Sequence, residues 1–198
     1  MGRVKVLTFL SILMLAMVFV AGCSTSNAVG TADLEKKWET YSTDVYEFDY
    51  PSSWMITNPE EVGLEVQPSP EFIIYAPVDD SKQFTANVNL AIQTFPFLAP
   101  SAKEQADSAG VLFELLGSST GIKDFKQVDF TPLNIGNIEA GVSTNEYVIS
   151  QNNIAVKNQQ LIVPFGQKSY ILTLTCAKDD WETYEAEFQK IISSFKLK

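Results

Sequence analysis

Histidine is absent from all 198 residues, which removes the commonest general base near neutral pH and the commonest side-chain ligand for zinc, copper or iron. Cysteine occurs only at Cys23 and Cys176, so neither a disulfide framework nor a Cys-x-x-Cys redox or metal motif can form. Basic residues are scarce, 14 against 24 acidic, for a formal net charge of -10. No Lys/Arg cluster interrupts this balance, which opposes binding to nucleic-acid phosphates and to acidic lipid headgroups. A phosphate-binding loop is missing too. Together these absences predict a protein with no catalytic residues, no resident cofactor or metal, and no nucleic-acid partner.

What the chain does contain begins with a tripartite N-terminus: Arg3 and Lys5, an apolar run from Val6 to Val20, then Ala21 and Gly22 before Cys23. This is the layout of a secretory signal peptide. The run is interrupted by Thr8 and Ser11 and falls short of the roughly 20 apolar residues that a membrane-spanning helix needs. Val20-Ala21-Gly22-Cys23 resembles the lipobox of prokaryotic lipoproteins. The resemblance implies that residues 1–22 are a signal peptide and that Cys23 becomes the lipidated N-terminus. An ordinary secretory signal and an uncleaved anchor are the competing readings. Buried methylenes contribute about 0.8 kcal/mol each, so two or three acyl chains hold where one does not. The expected address is the extracytoplasmic face of a cell membrane, reached through the lipid. Because Arg3 and Lys5 are the only charges before Cys23, the mature part keeps 12 basic and 24 acidic residues, a formal charge of -12.

Residues 23–40 are assigned to the lipidated cysteine and a tether, since Ser24 to Thr31 is small and polar with nothing to bury. Leu34, Trp38 and Tyr41 recur at helical spacing and predict a short amphipathic helix before the domain at 41–198. With Cys23 acylated, Cys176 stands alone. It continues the alternating face of Tyr170, Leu172 and Leu174 and is read as a buried small hydrophobe. The rival role, a nucleophile, lacks a histidine to activate it.

Period-two patterning marks strands at Tyr46-Phe48-Tyr50 and at Phe72 to Tyr75. From Thr85, Ala86, Val88, Leu90 and Ile92 alternate with Thr85, Asn87, Asn89 and Gln93, which predicts one buried face and one more polar face. Ser101 and Glu104 form a capping-box signature. A stripe of Ala102, Ala106, Ala109, Phe113 and Leu116, widened by Leu112 and Leu115, predicts a helix over 101–116 that ends at Gly117. Strands are expected at 125–133, 139–149, 154–163 and 169–177, and their short connectors favour antiparallel neighbours, the last three as a meander. Trp181, Tyr184, Phe188, Ile191, Ile192 and Phe195 share one face of a closing helix, with Asp179 and Glu182 available to cap its start. The expected class is α+β, an antiparallel sheet with helices packed on it.

Tyr46-Glu47-Phe48-Asp49-Tyr50-Pro51-Ser52-Ser53-Trp54 resembles the opening of PsbP-like and DcrB-like domains, where an alternating strand runs into a Pro-x-x-Trp corner. Tyr170 to Cys176, followed by a helix ending Ile191-Ile192-Ser193-Ser194-Phe195, is similar to that family's last strand and helix. The resemblance spans 41–198 and implies an α/β/α sandwich around a central antiparallel sheet of about six to seven strands, usually without enzymatic function. In photosynthetic organisms such proteins look after the water-oxidising complex and its calcium and chloride, and many prokaryotic relatives are lipoproteins. Nothing in this chain points to photosynthesis, so the fold alone carries over.

Three stretches are candidates for function. Asp79-Asp80 could offer oxygen ligands to calcium or manganese or form a solvated turn. Asp179-Asp180 suits the positive end of a helix. Phe95-Pro96-Phe97-Leu98-Ala99-Pro100 sets two aromatics and a leucine between prolines. It is either a docking patch built on Phe95, Phe97 and Leu98 or a loop folded over the end of the core. The expected role is a membrane-tethered, non-enzymatic binding or accessory protein in an envelope complex, with its protein partner unidentified. The alternative is a metal- or small-ligand-binding domain that uses acidic loop residues.

Overall fold

Long alternating strands joined by tight turns build the centre of the molecule. The computed structural model describes residues 37–59, 70–116 and 121–198. The leader, Cys23, the tether up to residue 36 with Leu34, and Gly117 lie outside the described residues.

β6 (Ile122–Ile135), β7 (Ile138–Ile149), β8 (Ile154–Phe165) and β9 (Lys168–Ala177) form an antiparallel meander. Gly136 and Gly166 open its two-residue turns at φ +59° and +60°, where a twist-matched hairpin needs a left-handed residue. β5 (Asn87–Thr94) pairs with β9, β4 (Phe72–Tyr75) with β5, and β3 (Met55–Thr57) with β4. The result is a seven-stranded, fully antiparallel sheet in the order β3-β4-β5-β9-β8-β7-β6. A second sheet pairs β2 (Tyr46–Pro51) with β1 (Trp38–Ser42) and β10 (Lys196–Leu197). Two helices, α1 (Ala102–Leu116) and α2 (Trp181–Ser194), complete the α+β sandwich.

Val88, Leu90, Leu161, Leu172, Leu174 and Cys176 share one face of the large sheet, and all are fully buried. Trp181, Phe188, Ile191 and Ile192 of α2 cover that face. The small sheet adds an aromatic cluster: Tyr41 lies 5.5 Å from Phe48 and 4.5 Å from Phe72, and Tyr46 lies 6.1 Å from Phe195. Such ring pairs contribute about 0.5–1.5 kcal/mol beyond their buried area. α1 covers the opposite face, where Ala102 and Ala106 meet Ile162 and Ile171, and Phe113 meets Phe84, Tyr147 and Val156.

Four expectations need correction. Leu115, expected to widen the apolar stripe of α1, faces outward and is 78% exposed. Trp38 and Tyr41 belong to a strand, because pairing Trp38–Ser42 with Tyr46–Pro51 satisfies the backbone and seats Tyr41 among aromatic rings. The polar side of the Thr85 strand is also inside: Asn87, Asn89 and Gln93 are 1%, 4% and 8% exposed. The start of α2 carries no side-chain cap. Asp180 occupies the N-cap but bonds Lys82 at 2.7 Å, and Asp179 sits in a 3-10 turn, Lys178–Asp180. The capping box on α1 is formed, with Ser101 N–H donating to Glu104 Oε2 at 2.9 Å and Glu104 N–H to Ser101 Oγ at 3.3 Å.

Cys176 is buried in the main core, and burial pushes its thiol up to about 12. Once unfolded, a thiol ionises from about pH 8.5. The folded chain then holds the extra proton, so stability falls as pH rises through this window. Above about pH 10 the buried tyrosines, also raised, add to the same trend. Between about pH 8.5 and 10 the decline should be smaller in Cys176→Val, as followed by urea unfolding. In a Cys23→Ser background, Cys176 should resist maleimide until the chain unfolds. Phe188→Ala should lower the unfolding free energy by about 3–5 kcal/mol. Leu115→Ala, on the exposed side of α1, should change it by less than about 0.5 kcal/mol in the same assay.

Candidate functional site: an exposed apolar patch

The 95–100 loop joins the end of β5 to the capping box of α1, and its backbone is pinned to the β8–β9 hairpin. Phe95 N–H donates to Gln167 O at 2.7 Å, Ala99 N–H to Gly166 O at 2.8 Å, and Gln167 Nε2 to Pro96 O at 3.2 Å. With the loop fixed this way, Phe97 and Leu98 project outward, 76% and 79% exposed. Phe95 is half-buried and helps seat the loop instead. Phe165, 57% exposed at the tip of the adjoining hairpin, joins the same end of the molecule. The strand expected at 154–163 leaves Phe165 in a connector, whereas β8 extends through it to the hairpin tip. Its place beside Gly166 was the available signal. Beside the patch, Ala99 and Pro164 begin an open cleft of about 640 Å³ that runs on to Phe130, Pro132 and Leu133.

The acidic candidates are turned onto neighbours. Asp79 Oδ1 accepts from Ser81 N–H at 3.0 Å and from Ser81 Oγ at 2.6 Å, which holds its carboxyl below the usual range. Asp180 pairs with Lys82. Among the described residues no three acidic or cysteine side chains converge as a metal would require.

Two short serine patterns fall outside the composition argument. Gly117-Ser118-Ser119-Thr120-Gly121 matches Gly-x-Ser-x-Gly, but it follows a helix and precedes a strand, the reverse of a nucleophile elbow. Ser193-x-x-Lys196 matches Ser-x-x-Lys, yet Ser193 Oγ donates to Lys190 O at 3.0 Å and Lys196 pairs with Glu47 at 3.1 Å. Ser193 is therefore not paired with a base, Ser119 lies outside the described residues, and no helix among the described residues is long and apolar enough to cross a membrane.

No profile of a known protein family matches the chain, and no curated protein matches its sequence. Solved structures do. Cyanobacterial PsbP (CyanoP) from Synechocystis sp. PCC 6803 is 15% identical, with a TM-score of 0.62 over 87% of this chain and 98% of that one. LpqN of Mycobacterium tuberculosis, a protein involved in cell envelope biogenesis, is 15% identical with a TM-score of 0.48 over 83% of this chain and 92% of its own. The near-complete coverage of CyanoP, the seven-stranded antiparallel sheet and its two helices assign this chain the PsbP-like fold.

Proposed function

We propose that this chain is an extracytoplasmic accessory protein, anchored by lipid at Cys23, that does no chemistry and docks on a protein partner of the cell envelope. The observation that carries the reading is the patch of Phe97, Leu98 and Phe165, large apolar groups exposed on a loop and a hairpin that hydrogen bonds hold rigid. A fixed apolar cluster of this kind loses little conformational entropy on binding, as an interface anchor should. The leader and lipobox pattern support the address.

Geometry favours a protein over the anchoring membrane as the occupant. The chain joins the domain at Trp38, which pairs with Pro51 at the end of β1 and β2 remote from Tyr46. Tyr46 lies 6.2 Å from Tyr170, two residues beyond the hairpin strand end at Lys168. Trp38 therefore stands toward one end of the domain while the patch sits toward the other. A formal charge of -12 on the mature part also opposes an acidic lipid surface.

In intact cells, Phe97→Ala and Leu98→Ala should reduce the yield of the main crosslinked partner, identified by mass spectrometry, while shifting thermal stability by less than about 0.5 kcal/mol. Destabilisation by several kcal/mol would make the loop a core element and end the docking reading. Cys23→Ser should move the protein from the membrane fraction to the soluble one, and continued sedimentation with lipid would refute the anchor.

A further inference from the structure

The cleft beside the exposed patch has two unlike walls. β6 and β7 supply Phe130, Pro132, Leu133 and Ala140, while the 95–100 loop and the first turn of α1 supply Ala99 and Ala102. Its volume of about 640 Å³ lies within the roughly 300–1,000 Å³ of recognition sites. Small ligands bury about 70–90% of their surface, and an open cleft leaves one side of such a ligand in water. A chain segment needs no enclosure. It can rest on Phe97 and Leu98, cross Ala99 and run on over the strands, because the patch and the cleft meet at that residue.

A glycine shapes the strand wall. Phe130 lies against Gly141 of β7, where a Cβ would stand 2.3 Å from Phe130 Cζ and 2.7 Å from Cε2. Only the missing side chain lets the ring lie across β7, and Lys103 Nζ covers it from α1 at 5.7 Å from the ring centroid. A larger residue at 141 would displace the ring that lines the cleft.

The outer edge of β6 is unsuited to adding a further strand. Its register breaks between Lys123 and Lys126 and again between Gln127 and Asp129, and Pro132 brings no N–H. Bulges and prolines are the devices that keep a sheet edge from pairing. Recognition in the cleft therefore falls to side chains.

Charge sets the sign of the occupant. Lys103 donates to Asp107 Oδ2 at 2.7 Å, which balances it. Glu104 Oε2 accepts from Ser101 N–H at 2.9 Å and from Ser101 Oγ at 2.8 Å, and so answers the positive end of α1. Glu139, exposed on the strand wall, pairs with no cation among the described residues. The uncompensated charge of the cleft is negative, as is the chain as a whole, with 24 acidic residues against 14 basic.

We propose that the cleft receives an extended segment of the docking partner, apolar with one lysine or arginine, whose cation meets Glu139 while its apolar side chains lie on Phe130 and on the Phe97–Leu98 patch. This rests on the docking reading and adds the chemistry of the bound segment. The test presents the full chain, purified in detergent, to an array of random hexapeptides. Enriched peptides should carry one Lys or Arg beside apolar residues, and the tightest of them, labelled with fluorescein, should bind saturably by fluorescence polarisation. Glu139→Gln should weaken that binding about threefold, and Glu139→Lys should turn the selected charge from basic to acidic. Gly141→Ala should weaken it about tenfold by displacing Phe130, whereas Leu115→Ala on the outer side of α1 should leave it unchanged. If Gly141→Ala does not fold, the charge reversal at exposed Glu139 decides alone. An array without enriched peptides, or enrichment that Glu139→Lys leaves unaltered, would overturn the proposal. Enrichment abolished by Phe97→Ala but indifferent to Glu139→Lys would remove the cleft and leave the docking patch standing.

Discussion

The structure depends on covering one face of a seven-stranded sheet. Leu161, Leu172, Leu174, Val88 and Leu90 form an apolar surface that water would penalise at roughly 25 cal/mol per Å². The closing helix and the small sheet are what remove that surface from water. Phe188, fully buried, lies between Trp181 at 5.8 Å and Trp54 at 6.3 Å, so helix, corner and sheet lock through one ring. The last residues are tied into the same arrangement: Lys196 and Leu197 pair with β2, and Ser194 Oγ accepts from Asp49 N–H at 2.8 Å.

The two helices share the covering unequally. α2 offers two aromatic rings and two isoleucines to the sheet, and α1 offers mostly alanines. Free energies of local opening follow buried apolar contact, so the alanine-faced helix is the weaker attachment. Its weakness is local. Both ends rest on apolar clusters, and the capping box at Ser101 and Glu104 secures its first turn.

Much of this fold was legible in the sequence because periodicity and burial coincide on the apolar side. The meander, the closing helix and the helix after Pro100 all follow from spacing, and the PsbP-like architecture from the strand and corner at Tyr46 to Trp54. Trp38 and Tyr41 misled because aromatic residues three apart satisfy a helix stripe as well as they satisfy β1. The partner strand settles that choice, and a local window does not contain it. The polar alternation from Asn87 to Gln93 misled for a different reason. Alternation reports which face a side chain takes, whereas its burial depends on what covers that face. Of the patch, Phe97 and Leu98 could be singled out by their prolines, but Phe165 reaches them only through the pinning of residues 95–99 onto the hairpin.

The patch is continuous with the start of α1. The loop that displays Phe97 and Leu98 runs through Pro100, whose carbonyl accepts from Gln105 Nε2 at 2.7 Å, straight into the first turn of α1. Gln105 is thus held by the loop through its amide nitrogen, while its buried oxygen has no protein partner. A partner that gripped the loop would hold the N-terminal end of α1.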